Sequence, residues 1–78
     1  MRIYRSKALT ARWHILPAEI RSFVESLRTD PRPEWARPIP ERPGRYELPV
    51  AGYWLMWQID ETGGETTIAV WFVEEPTE

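Results

Sequence analysis

Gly52-Tyr53-Trp54-Leu55-Met56-Trp57-Gln58-Ile59-Asp60 is the stretch on which the architecture of this chain turns. From Tyr53 to Ile59 it is apolar at odd and even positions alike until Gln58. A strand wetted on one side alternates apolar with polar residues. One that is apolar on both sides belongs inside a sheet. The run therefore predicts a central strand over 53–59, with Trp54, Met56 and Gln58 on one face and Leu55, Trp57 and Ile59 on the other.

The neighbouring segments extend the same sheet. Asp60 to Glu65 contains Gly63-Gly64 and reads as a hairpin loop. Thr66 to Val73 is again apolar on both faces and predicts a second inner strand. Upstream, Ala51-Gly52 is a tight turn, and Tyr46, Leu48 and Val50 alternate with Glu47 and Pro49. Pro49 lacks a backbone donor, which suits an edge or a bulge. At the N-terminus, Ile3 and Tyr4 between Arg2 and Arg5 predict a short strand.

Two helices fit between these strands. Ser6 is placed to cap one running from Lys7 to about His14. Pro17 opens the other, in which Ile20, Phe23, Val24 and Leu27 recur at helical spacing. Glu25 on its polar face is within reach of Arg21 or Arg28. Asp30-Pro31 ends it, because a residue before proline avoids the helical region. Prolines at 31, 33, 38, 40 and 43 then predict an extended connector of polyproline character, pinned by Trp35 and Ile39. The element order is β-α-α-β-β-β. The expected fold is a single α+β domain over 1–78, with two N-terminal helices on one face of a three- to four-stranded, mainly antiparallel sheet.

Such a layout leaves one sheet face without a cover. Strands that are apolar on both sides then present an aromatic groove, and apolar patches of that kind mark interaction sites. Trp54, Met56 and Gln58 form its centre, with Glu47 and either Glu74 or Glu75 at the rim. A partner protein or a second copy of the chain is the expected occupant, preferring Lys or Arg opposite those acids.

Charge is split along the chain. All ten Lys and Arg precede residue 46, where five acids leave a net +5. The remainder holds seven acids and no Lys or Arg. The sheet is therefore expected to be poor in the cations that hold a phosphate backbone. Arg32, Arg37, Arg42 and Arg45 form a spaced basic edge instead, of which Arg37, Arg42 and Arg45 are the candidates for RNA contact.

Other chemistry is sparse. The 78 residues contain no cysteine, so neither a disulfide nor a thiolate metal site is available. His14 is the single histidine and reads as structural or surface. Gly63-Gly64 has no lysine and no helix after it, so it is a turn and no phosphate loop. No metal and no cofactor is expected. Nothing approaches 18 consecutive apolar residues, and the first fifteen residues lack the apolar core of a signal peptide. A cytoplasmic protein is expected.

Several stretches resemble the RelE/ParE toxin superfamily, the toxin halves of bacterial type II toxin–antitoxin pairs. They are Leu16-Pro17, Asp30-Pro31-Arg32, Gly44-Arg45-Tyr46, the run Gly52 to Asp60, and the apolar strand Ile68 to Val73. The resemblance implies the α+β fold above, a role in translation inhibition, an antitoxin partner, and for the RelE branch a ribosome-dependent mRNA endoribonuclease without metal. That chemistry needs cations to offset charge that develops at phosphorus. The family's two strand lysines align with Glu47 and Pro49, its arginine after Gly-Tyr with Trp54, and its basic cluster after the last strand with Glu74-Glu75. The family's C-terminal tail is absent. The aligned cationic positions are thus acidic, apolar or missing, and no catalytic residue is identified. Two functions stand side by side: a RelE-like toxin degenerate in its ribonuclease site, and a non-catalytic binding module working through the aromatic groove.

Overall fold

The computed structural model describes residues 1–74. The strands are β1 (Arg2–Arg5), β2 (Arg37–Pro38), β3 (Arg45–Val50), β4 (Tyr53–Asp60) and β5 (Thr67–Glu74); the helices are α1 (Lys7–Ala11) and α2 (Ala18–Ser26). One sheet holds all five strands in the order β1-β5-β4-β3-β2. β4 is central, as its two apolar faces require.

The expected sheet is corrected in two respects. It has five strands, and it is mixed, because β1 lies parallel to β5 while the other pairs are antiparallel. β2 is a two-residue strand inside the proline-rich connector, pairing Arg37 with Glu47 and Pro38 with Tyr46. Proline fits there because β2 is an edge and its outer side asks for no donor. The helices are also less than expected, since α1 has only five residues. After Ala11 the chain continues in turns to Leu16.

Local chemistry explains the helix ends. The Ser6 hydroxyl accepts the Leu9 N–H at 3.1 Å, as the cap predicted. Arg21 reaches back from α2 and donates to the carbonyls of Trp13 and Leu16 at 3.0 and 2.7 Å. It satisfies the Trp13 carbonyl, whose partner four residues on would be Pro17, which has no N–H. Glu25 pairs with Arg28 at 2.9 Å, and both are exposed.

The core lies between α2 and one face of the sheet. Ile20, Val24 and Leu27 are fully buried together with Leu55, Trp57, Ile68 and Val70, and Leu9 joins them from α1. Phe23 is half-buried and meets Trp57 edge-on at 5.3 Å between centroids. Tyr46 stacks on the other side of Trp57 at 5.9 Å. The Trp57 indole N–H donates to the Pro31 carbonyl at 2.9 Å, so the ring also holds the start of the connector. The connector is otherwise not as expected. Pro33 is buried, but Trp35 is 64% exposed and pins nothing. Residues 39–45 close in successive turns, Arg42 to Ile39 and Arg45 to Arg42, so this stretch is no open polyproline rod.

Candidate binding face of the sheet

Helix α2 covers the face that carries Tyr46, Leu48, Leu55, Trp57, Ile68 and Val70. The register sets what lies on the other side. Across it run the rows Arg37–Glu47–Met56–Trp71 and Arg45–Gln58–Ala69–Tyr4, flanked by Pro49–Trp54–Val73. Trp54, Met56, Gln58 and Trp71 are each half-buried on this outer face. Val73 and Tyr4 are 46% and 52% exposed.

The partial cover comes from arginines. The Arg37 guanidinium lies over the Trp54 ring, 5.6 Å from its centroid. Arg45 lies over Trp71 at 5.0 Å and donates from Nη2 to Gln58 Oε1 at 2.8 Å, with Nε at 3.3 Å. A cation over an indole face is attracted by the ring quadrupole, by about 0.5–1 kcal/mol at an exposed site. Such a contact orients the guanidinium while leaving its outer edge wet. Glu47 stands directly opposite Arg37, which softens but does not cancel the positive charge.

The expectation of a sheet poor in cations is therefore corrected. Arg37 and Arg45 come from the basic half of the chain, yet they reach the outer face because β2 and the start of β3 lie in that half. Arg2 joins them at the far edge, where it donates to the Tyr4 hydroxyl at 3.4 Å. That hydrogen bond raises the Arg2 pKa. Asp60, exposed on the same side of β4, keeps its negative charge. Its carboxylate accepts the Thr62 hydroxyl and the Thr62 N–H, the latter at 2.9 Å, which lowers its pKa.

Two sets of residues that sequence reasoning kept apart are thus one surface. Glu47, Trp54, Met56 and Gln58, expected to bind a partner, share it with Arg37 and Arg45, expected to touch RNA. Arg42 is exposed in the turn between β2 and β3 and lies on no strand. Arg32 leaves the basic edge altogether, bonded to Glu61 at 2.8 Å. His14 is exposed in the turn after α1. Glu74 pairs with Tyr53 at the end of β5, and its side chain, like the whole of Glu75, lies outside the described residues. Trp71, Tyr4 and Arg2 were missed as site residues. Alternation within 67–73 was the available signal for Trp71, but only the register brings it beside Met56 and under Arg45.

The face can bind and orient; its residues do not make a proton-transfer pair. Among the described residues there is no group of three His, Asp or Glu side chains close enough to hold a metal ion. No helix among them is long and apolar enough to cross a membrane. No protein-family model, curated protein or solved structure matches the chain. What the fold and face define is a small α+β protein with an open sheet surface, on which arginines lie against tryptophans.

Proposed function

We propose that this protein is a toxin of the RelE/ParE kind that acts on translation in the cytoplasm by holding single-stranded RNA on the outer face of its sheet. The observation that carries the reading is the pair of stacks, Arg37 over Trp54 and Arg45 over Trp71. Proteins that hold single strands combine cations for the backbone with aromatic rings on which bases stack. Here both are present within one strand spacing of each other. The sequence resemblance over residues 52–60 supplies the link to translation and to an antitoxin-like partner. No residue is assigned to cleavage, because Glu47, Pro49 and Trp54 occupy the positions where the resemblance calls for cations.

A second reading has its own support. Trp54, Met56 and Val73 make a contiguous apolar patch beside Glu47, and aromatic residues and Met are enriched at protein interfaces. On that reading the protein is a non-catalytic binding module whose partner is an antitoxin-like segment or a second copy.

Expression in bacteria separates the two. A toxin gives growth arrest and new message ends by primer extension, and both fade in the Arg37→Ala/Arg45→Ala variant. Message cleavage that persists undiminished without Arg37, Arg42 and Arg45 overturns the RNA reading of this face. Normal growth together with a stable protein complex that Trp54→Ala dissolves favours the binding module.

A further inference from the structure

The helix side of the sheet carries a second feature, at the β3 edge. The first turns of the nine-residue helix α2 and the far end of β3 do not close on each other. Between them lies an open trough of about 640 Å³, lined by Glu19 and Phe23 of α2, by Trp35, and by Leu48, Pro49 and Val50 of β3. Its volume falls in the range of binding pockets. Trp35 is the most exposed aromatic side chain of the described residues. Glu19 is the one charged group of the lining and forms no ion pair among those residues.

The trough also sits on an incomplete sheet edge. β2 pairs with β3 only as far as Glu47, so among the described residues no strand pairs with Leu48, Pro49 and Val50 on that side. Ile39 donates to the Arg45 carbonyl, so residues 45, 47 and 49 turn their backbone groups toward this edge. At position 49 the residue is proline, and the edge donor is missing. An added β-strand would find a carbonyl but no N–H. The occupant must therefore dock by its side chains, with its own backbone needing no partner here.

We propose that this trough binds an extended, proline-rich segment of a partner protein that carries an Arg or Lys next to its prolines. A polyproline II segment has no internal hydrogen bonds, keeps its backbone solvated, and docks in grooves walled by aromatic rings. Phe23 and Trp35 supply such walls, and Leu48 and Val50 the floor. Glu19 supplies the charge that fixes the direction of the segment by pairing with its basic residue. The protein then has two surfaces, one on the outer face of its sheet and one between α2 and the β3 edge, which meet at Pro49.

The test is an NMR titration of the full ¹⁵N-labelled chain with a panel of ten-residue synthetic peptides. Each has proline at two of every three positions and arginine at one end or the other. Parallel peptides carry alanine in place of proline. The expected result is saturable binding of at least one proline peptide, with shifts confined to Phe23, the Trp35 indole and residues 48–50. Trp35→Ala should weaken it at least tenfold, and Glu19→Gln several-fold in a manner that added salt abolishes. Binding of single-stranded RNA should be the same in Trp35→Ala as in the parent, so failure here leaves the reading of the outer face standing. Trp35 is largely exposed, and Glu19→Gln gives a second, conservative variant, so loss of folding does not obscure the result. The proposal is overturned by absence of saturation at millimolar concentration across the panel. Equal binding of the alanine peptides overturns it, as do shifts centred on Trp54 and Trp71. So does a dimer in sedimentation whose interface buries Trp35, since a second copy would then be the occupant.

Discussion

Replacing Arg37 and Arg45 together by alanine should remove a defined part of the salt sensitivity of RNA binding. Each arginine that neutralises a phosphate of a single strand releases condensed counterions, with a slope of about −0.7 in log K against log salt. Two such contacts give a slope contribution of about −1.4. Raising salt fourfold, from 50 to 200 mM, should then weaken the parent protein roughly sevenfold through these two residues alone. The double variant should lose that component and keep the stacking on Trp54 and Trp71. Each stacked base contributes about 1–3 kcal/mol, so residual binding should remain measurable. Fluorescence anisotropy of a labelled ten-nucleotide RNA, titrated at several salt concentrations, reads both quantities. Trp54→Ala provides the converse, a loss of affinity with an unchanged slope. An identical slope in the double variant and the parent would mean that phosphates sit elsewhere, and the reading of this face would fall.

Leu27→Ala removes a fully buried side chain from the end of α2 and should cost about 2–5 kcal/mol, read by urea denaturation. Gly44 has φ of +84°, and an added Cβ would lie 3.0 Å from the Ile59 carbonyl. Its own carbonyl accepts the Ile59 N–H at 2.8 Å, so the backbone cannot easily shift. Gly44→Ala should therefore lose about 1–3 kcal/mol, with the melting temperature falling accordingly. For Asp60 the folded-state pKa is lowered, by the Thr62 hydroxyl first and its N–H second. Its contribution is complete above the unfolded carboxyl range and is lost as pH falls through the lower folded value. Asp60→Asn should accordingly narrow its stability difference from the parent only in strongly acid solution, as followed by thermal melts across pH.

The periodic parts of the fold were legible in the sequence. The stripe of Ile20, Val24 and Leu27 and the two-sided run 53–59 carry their partners' requirements within themselves. The rest depended on contacts between distant segments. Nothing local in Arg2–Arg5 says that it will lie parallel to β5 rather than antiparallel to another strand. β2 was hidden because Pro38 argues against a strand everywhere except at an edge, and its being an edge is a property of the finished sheet. α1 stops at Ala11, and the carbonyls of Trp13 and Leu16 beyond it are met by Arg21, a residue of the next helix, a contact that no local pattern shows. The candidate site shows the same division. Trp54, Met56 and Gln58 were readable as a face from period two. The positive charge of that face was misread, because charge was summed along the chain while the register distributes it across strands. Arg45 stands opposite Gln58 and Arg37 opposite Glu47, and neither position is visible without the pairing.

The parallel contact between β1 and β5 has a consequence in time. Arg2 pairs with Thr67 and Arg5 with Val70, so one edge of the sheet is made from segments at opposite ends of the described chain. At a synthesis rate of roughly 5–20 residues per second, Arg2–Arg5 waits several seconds for its neighbour. Through that interval α1 has no β5 to rest on, and Leu9 has no closed core to enter. The hairpin of β3 and β4 can form early, because its strands are joined by a tight turn; the N-terminal quarter cannot. A nascent chain of this kind carries Trp54 and Arg45 on a partial sheet before Trp71 arrives to complete the outer surface. The stack of Arg45 on Trp71 therefore exists only once β5 has been made and paired with β4, whereas that of Arg37 on Trp54 needs β2 to β4 alone.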